Sequence, residues 1–375
     1  MSASIEVTPV ATRADRREFL DLPWRLHRED PNWIPPLRSD QAELVGYRPH
    51  PFYERNEAQT FLARRDGKVC GRVAAIHNRV YIEHRSDPRG FFGFFESIDD
   101  PQVADALLTA VRQWFAARNI LQVRGPANPG INYVWGLLTD GFDGPPTFMM
   151  PYNPPYYPRL IETAGFEKAE DLYAYWGHRG MMSGNTPRFK PFAEKVIDRY
   201  QIRLRPLNRR RFLADVEEFL GLYNRALDHV PSFAPMSPGE IRHLAKGLQW
   251  LIVPELAVGA EVDGRLVGAV FALPDYNPRI RQIDGRLFPF GFARLLWNKQ
   301  RIKRVRILAA TVLPEYAMMG IGLVLMRALI PKALEWGLEE AEFSWVAESN
   351  HFSRGSLEKA GAKRIRTYRV YDSAG

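Results

Sequence analysis

The two halves of this chain carry the same elements in the same order, and that repeat constrains the fold more than any other feature. Near the start, FLARRDGKVCGRVAAIHN reads as two alternating strands joined at Asp66-Gly67, a dipeptide that tolerates the positive φ of a tight hairpin turn. Far downstream, LAVGAEVDGRLVGAVFALP repeats the pattern around Asp263-Gly264. In each copy a second glycine, Gly71 or Gly268, stands four residues past the turn glycine. A helix with apolar residues at helical spacing follows each hairpin, PQVADALLTAVRQWFAARN in the first half and GIGLVLMRALIPKALEWGL in the second. Trp114 precedes Asn128 by the same fourteen residues that separate Trp336 from Asn350. Each half then closes with a helix stopped by glycine, Gly165 or Gly361, and a tyrosine-bearing strand. Tyr175 and Tyr371 lie equally far beyond Glu162 and Glu358. Chance likeness between two α/β domains is the alternative, and four features in one order favour duplication.

A chain of 375 residues has room for two domains with a core each. The Ser, Gly, Asn and Pro of MMSGNTPRFKPF, residues 181–192, read as a linker, which places the domains at 1–185 and 186–375. With 46% apolar and 25% charged residues the chain is neither disordered nor of low complexity. A single cysteine, Cys70, excludes a disulfide framework and a cysteine-based metal cluster, so no metal is expected. No apolar run nears the roughly 20 residues of a membrane span, and MSASIEVTPVATRADRREF lacks the apolar core of a signal peptide. A soluble, cytoplasmic protein is the expectation. The net charge of +8 is concentrated: residues 279–306 hold nine Lys/Arg and one acid, Asp284. Neither a helix-turn-helix pair nor zinc spacing is evident, so no nucleic-acid partner is expected.

The order of hairpin, third strand, turn, helix, strand, helix and strand resembles the GNAT superfamily of acyl-CoA N-acyltransferases. The residues that carry the resemblance are RILAATVLPEYAMMGIGLVLMRALI followed by EFSWVAESNHFSRGSLEKAGAKRIRTYRVYD. The resemblance implies an α/β (α+β) fold of two GNAT-like domains, each a mixed, mostly antiparallel sheet flanked by helices. It also implies acyl-CoA as co-substrate and an amine as acceptor. In that superfamily a loop and the following helix N-terminus cradle the coenzyme A pyrophosphate with backbone N–H groups, an arrangement the helix dipole favours. Here the cradle falls on Met318, Met319, Gly320, Ile321 and Gly322, and the strand end Val312-Leu313 would bond the pantetheine arm, with Asn350 at the matching remove. The superfamily's usual Gln or Arg at the head of the loop is replaced by Ala317, and its Gly and Arg by Met318 and Met319. A cradle of main-chain donors survives those changes. The first half instead has IDDPQVADALL at this point, where Asp99 and Asp100 repel a phosphate. It reads as a GNAT-shaped domain that has lost donor binding and shapes the acceptor side, with NPGINYVWGLLTDGFDGPPTFMMPYNPPYY as a covering loop.

Acyl transfer from a thioester to an amine needs the amine neutral, the carbonyl polarised and the leaving thiolate protonated. Cys70 sits in a hairpin strand and reads as core, so direct attack by the amine fits better than a covalent intermediate. Glu348, at the carboxyl end of a strand, is a candidate base, or else a surface carboxylate. His351 is a second candidate, or a helix cap. Glu96, beside Phe94 and Phe95 at the end of FFGFFE, is a third, either a base whose carboxyl its aromatic neighbours raise or an exposed strand-end residue. The helix position that many GNAT enzymes fill with an acid tyrosine is Leu357 here, which leaves Tyr371 or Tyr368 as substitutes, or as packing residues.

The combination of FFGFFE, DGFDGPP and EFSWVAESN…YRVY is similar to a family of tandem-domain bacterial GNAT proteins that includes acyltransferases resembling bacterial ceramide synthase. That likeness implies transfer of a long acyl chain to a sphingoid or other lipidic amine. Independently, DGRLFPFGFARLLWNKQRIKRVRI, residues 284–307, interleaves aromatics with Arg and Lys, as a segment resting peripherally on the anionic inner membrane would. A helix with a solvated basic face is the plainer alternative. An N-acetyltransferase of a soluble amine or peptide, and a non-catalytic GNAT-fold binding protein, are the competing functions.

Overall fold

A computed structural model describes residues 4–374. The chain forms two compact units, each assembled from separated segments. The first holds the chain up to Leu172, then Asn277–Leu295 and the C-terminal stretch from Arg366; the second holds Tyr173–Tyr276 and Leu296–Ile365.

In the first unit, strands Ile5–Pro9, Glu57–Arg65, Lys68–His77 and Arg89–Ser97 lie side by side in antiparallel order, and Gln122–Gly125 runs parallel to the last of them. Asp66 and Gly67 both take positive φ, 50° and 74°, as the hairpin turn requires. Helix Pro101–Ala116 buries Val103, Ala104, Leu107, Leu108, Val111 and Phe115 on this sheet. In the second unit, Arg203–Pro206, Ala257–Val262, Arg265–Pro274 and Arg304–Val312 are antiparallel, and Glu340–Ala347 is parallel to the last. Helix Ile321–Trp336 covers one face, burying Ile321, Val324, Leu325 and Leu329. Each unit is thus a mixed, mostly antiparallel sheet flanked by helices. The second hairpin glycine of each half has one job: a Cβ on Gly71 would stand 2.7 Å from Leu107, and one on Gly268 3.2 Å from Ile321 and Leu325. These glycines let the long helix settle on its sheet.

The closing strand of each half crosses into the other unit. Phe166–His178 begins in the first unit and ends in the second, whereas Lys363–Ser373 begins in the second and ends in the first, where Tyr371 pairs with Gly125. The matched tyrosines and glutamates pair crosswise as a result. Tyr371 donates to Glu162 at 3.0 Å, and Tyr175 donates to Glu358 at 2.8 Å.

Two expectations are corrected. The stretch 181–192 is no linker but part of helix Arg179–Tyr200, which includes Pro187 and Pro191. Tertiary packing overrides the local breakers: Met182, Ala193 and Val196 are buried, and Glu194 pairs with Arg327 of helix Ile321–Trp336 at 3.0 Å. The single cut near residue 185 falls inside this helix, so no one break in the chain separates the compact units. The basic segment 284–307 is also divided. Its last part is strand: Arg304 pairs with Glu340 at 2.6 Å, and Arg306 is buried, its Nε donating to Ser344 at 3.0 Å.

The exchanged strand makes Tyr371 a stability anchor, since the ring is fully buried in the first unit's core. Tyr371→Phe should lose about 1 kcal/mol with its hydrogen bond, and Tyr371→Ala about 3–5 kcal/mol through the cavity. Urea denaturation checks both. Equal effects of the two variants would contradict this packing.

Candidate functional site

The donor-type features lie in the second unit. Strand Arg304–Val312 pairs with Glu340–Ala347 only where Arg304–Ile307 face Glu340–Phe343. Past Ile307 the parallel strands part. The register with Arg265–Pro274 slips at the same place, leaving Leu308 as the extra residue of a bulge, and bulges bend the strand that carries them. Leu308–Val312 therefore continue with an edge released from their parallel neighbour. Leu313 closes the strand by donating its N–H to Val267 at 2.9 Å. A short 3₁₀ turn, Pro314–Met319, leads to Gly320 at φ 79° and into helix Ile321–Trp336.

Gly320 is required twice over. Its φ is left-handed, and a Cβ there would stand 3.0 Å from the Phe192 ring. No side chain caps the helix that follows, and its first turn holds no acid. The first amides of a helix have no acceptor within it, so those of Ile321 and Gly322 present an uncapped positive helix end. A Cβ on Gly322 would meet nothing within 4 Å. An uncapped N-terminus with room beside Gly322 suits a phosphate. Met318 is exposed and Met319 half-buried.

The same two places in the first unit are closed by the chain itself. Strands Arg89–Ser97 and Gln122–Gly125 pair over Arg89–Phe91. Beyond that Asn128 fills the gap, its Oδ1 accepting the Phe94 N–H at 2.6 Å, and a Cβ on Gly93 would collide with the Ala127 carbonyl at 1.7 Å. Asp100 caps helix Pro101–Ala116 by accepting from the Gln102 N–H at 2.8 Å, and it pairs with Arg65 at 2.6 Å. The Arg65 hydrogen bond holds the Asp100 carboxyl below its ordinary value. Asp99 pairs with Arg159. This helix end already has its anion.

The candidate residues are divided between the two units. Glu348 and Asn350 lie beyond strand Glu340–Ala347 in the second unit. Glu348 accepts from Tyr173 at 3.1 Å, and its backbone carbonyl takes Arg354 at 2.8 Å. Asn350 caps its own helix, its Oδ1 accepting the Ser353 N–H at 3.0 Å, and His351 is the exposed first residue of that helix. Tyr371 sits in the first unit's core bonded to Glu162, its phenol raised first by burial and then by that carboxylate. Tyr368 is buried as well. Cys70 is buried, with its Sγ toward the Ala63 carbonyl at 3.4 Å, as a core thiol.

Glu96 has the most built surroundings. Its Oε2 accepts from His27 Nε2 and from the Tyr157 hydroxyl, each at 2.7 Å, and Arg72 approaches Oε1 at 3.4 Å. The Glu96 side chain is 16% exposed, whereas Arg72 is 3% and His27 2% exposed. The expected raised carboxyl is corrected. Burial does push Glu96 up, but His27, Arg72 and Tyr157 together outweigh it and hold the carboxyl below its ordinary value. His27, Arg72 and Tyr157 were not singled out from the sequence. Arg72 left a signal, a lone charge inside the apolar run VCGRVAAI, where a buried guanidinium demands a carboxylate.

A depressed carboxyl favours the native state above the unfolded value of about 4.3, and that contribution is lost as pH falls from there through the folded value. Urea denaturation of wild type and Glu96→Gln should show a stability gap at pH 7 that narrows below pH ~4.3. A gap independent of pH would contradict the ionised assignment.

Comparison with known proteins identifies the family. The profile of the Acetyltransferase (GNAT) family matches residues 226–362, which include the open loop and helix end. The chain is 34% identical to the bacterial ceramide synthase of Caulobacter vibrioides, over 100% of this chain and 98% of that protein. It is 32% identical to Protein YghO of Escherichia coli, over 96% and 92%. Among solved structures, a tandem GNAT protein from the clavulanic acid biosynthesis pathway shares the fold, with a TM-score of 0.57 at 14% identity over 99% of this chain and 98% of that one. The chain is a tandem GNAT acyltransferase and belongs to the family that includes these two bacterial relatives.

Proposed function

We propose that this enzyme moves a long acyl chain from acyl-CoA to the primary amine of a sphingoid-type or similar lipidic acceptor. The observation that carries the donor half is the difference between the two helix ends. Ile321–Trp336 is uncapped beside the open space at Gly322, whereas Pro101–Ala116 is capped by Asp100. Ile321 and Gly322 would hold the pyrophosphate through their amides, with Gly320 shaping the turn, and the released edge of Leu308–Val312 would take the pantetheine amides. The GNAT fold implies acyl-CoA as the acyl source.

The lipidic acceptor is supported by the name of the Caulobacter relative and by a surface of the first unit. Phe288 is 88% and Phe290 80% exposed, flanked by exposed Arg286 and Arg294. This projection is anchored at its base. Asp284 accepts from Trp24 Nε1 at 2.7 Å, the Gly285 carbonyl takes the Arg38 N–H at 3.0 Å, and Arg279 bonds the Leu295 carbonyl at 2.8 Å. Aromatics held out to solvent among arginines match an anionic bilayer surface, apolar below and negative above. No described helix is long and apolar enough to cross a membrane, so contact would be peripheral.

Gly322→Asp tests the donor half. The carboxylate has room and complements the helix dipole, so the free protein should melt at or slightly above wild type. Acyl-CoA at 100 times its dissociation constant should stabilise wild type by about 2.7 kcal/mol and the variant hardly at all. Equal stabilisation would contradict the placement. For the surface, Phe288→Ser with Phe290→Ser should lower association with phosphatidylglycerol vesicles by roughly tenfold or more, given about 1.5 kcal/mol or more per buried aromatic. Unchanged sedimentation with vesicles would contradict it. The reaction itself is read by coenzyme A release. Palmitoyl-CoA with sphinganine should give turnover, and turnover with acetyl-CoA and soluble amines alone would instead indicate a soluble acceptor.

A further inference from the structure

We propose that helix Arg179–Tyr200 holds the adenosine end of the acyl donor, with Phe192 as the platform for the adenine ring and Lys195 and Arg199 as the cations for the 3′-phosphate. This inference rests on the donor reading above and deepens it. A site that grips the nucleotide distinguishes coenzyme A from the bare phosphopantetheine arm of a carrier protein.

The loop before helix Ile321–Trp336 brings no cation to a phosphorylated donor. From Pro314 to Gly322 its one charged residue is the acid Glu315, which pairs with Arg265 at 3.2 Å. Main-chain amides serve a pyrophosphate. Coenzyme A also bears a 3′-phosphate and an adenine, and these need partners of their own.

Helix Arg179–Tyr200, in the same unit, stands beside that loop. It comes closest at Gly320, where an added Cβ would lie 3.0 Å from the Phe192 ring and 3.3 Å from Val196. Ala193 and Val196 are buried and seat the helix, whereas Phe192 is 53% exposed. The ring therefore adjoins the residue that precedes the Ile321 and Gly322 amides while leaving much of its surface to solvent. A single exposed aromatic is ordinary on a protein surface, but this one has company. Lys195 and Arg199 stand three and seven residues beyond Phe192, which places all three on one face of the helix, and both cations are exposed. The acids of the same stretch lie two and six residues beyond Phe192, on the other flank. Of these, Glu194 pairs with Arg327 at 3.0 Å, and Asp198 follows it by one turn.

Charge is thus sorted across this helix, with the aromatic and basic flank toward Gly320. An adenine stacks on an aromatic face whatever its substituents, and a phosphate draws Lys and Arg into charge-assisted hydrogen bonds. The two kinds of group that the loop lacks meet on one flank, next to the place proposed for the pyrophosphate.

Calorimetry with free coenzyme A, dephospho-coenzyme A and 4′-phosphopantetheine reads each part of the subsite. Wild type should bind the three with affinity falling in that order. Phe192→Ala should weaken both nucleotides about tenfold and spare 4′-phosphopantetheine. Phe192→Leu, which keeps an apolar contact with Gly320, should show the same pattern if the alanine variant folds poorly. Lys195→Gln with Arg199→Gln should weaken coenzyme A by roughly tenfold at low salt and abolish its preference over dephospho-coenzyme A. A wild type that binds coenzyme A no better than 4′-phosphopantetheine would overturn the subsite. So would variants that bind coenzyme A as wild type does, or that lose all three ligands equally. A wild type that binds none of the three would overturn the donor site proposed above, and the subsite with it.

Discussion

The reciprocal loan of closing strands is the constraint on which the rest of this structure depends. Neither half of the chain completes its own unit. Tyr371 reaches the first unit's core and bonds Glu162, while Tyr175 reaches the second and bonds Glu358. A strand that leaves its own half must find backbone partners in the other, because buried N–H and C=O groups left unpaired are costly. A deletion that removes the chain's end therefore strips the first unit, not the second, of its last strand.

Within that shared architecture the two units differ where it matters for chemistry. Each has a bulged strand, a parallel neighbour that parts from it, and a sixteen-residue helix beyond. In the first unit Asn128 occupies the parting and Asp100 the helix end. In the second the corresponding helix end is uncapped, with Gly322 leaving space before it. On the proposed reading, two side chains are enough to separate an anion site from a closed scaffold. The polar investment of the first unit lies instead at Glu96, where a carboxylate is surrounded by His27, Arg72 and Tyr157.

Much of this was legible from local pattern. The Asp-Gly turns, the paired glycines Gly71 and Gly268, and the acids ahead of Pro101 are short-range signals, and each means in the structure what it means in the chain. Long-range partners were not legible. The spacing of Tyr175 and Tyr371 shows that they are equivalent, but not that each bonds the other half's glutamate. The helix over 179–200 contradicts its own Gly and Pro content because its stability comes from packing on Ile321–Trp336. Glu96 was misjudged from its neighbours in sequence. Phe95 does pack on the Tyr157 ring that bonds the carboxylate, but the charged partners that outweigh burial lie far away in sequence. The carboxylate's surroundings come from helix Arg13–Leu26, whose C-cap is His27, from strand Lys68–His77 and from helix Tyr157–Thr163.

The central claim is that one unit binds the acyl donor and the other does not. Amide hydrogen exchange with and without palmitoyl-CoA tests it most directly, because it reports both helix ends in one sample. The account predicts slowed exchange over Leu313–Val324 and no change over Ile98–Leu107. Protection over Ile98–Leu107, or none over Leu313–Val324 at saturating donor, would contradict it.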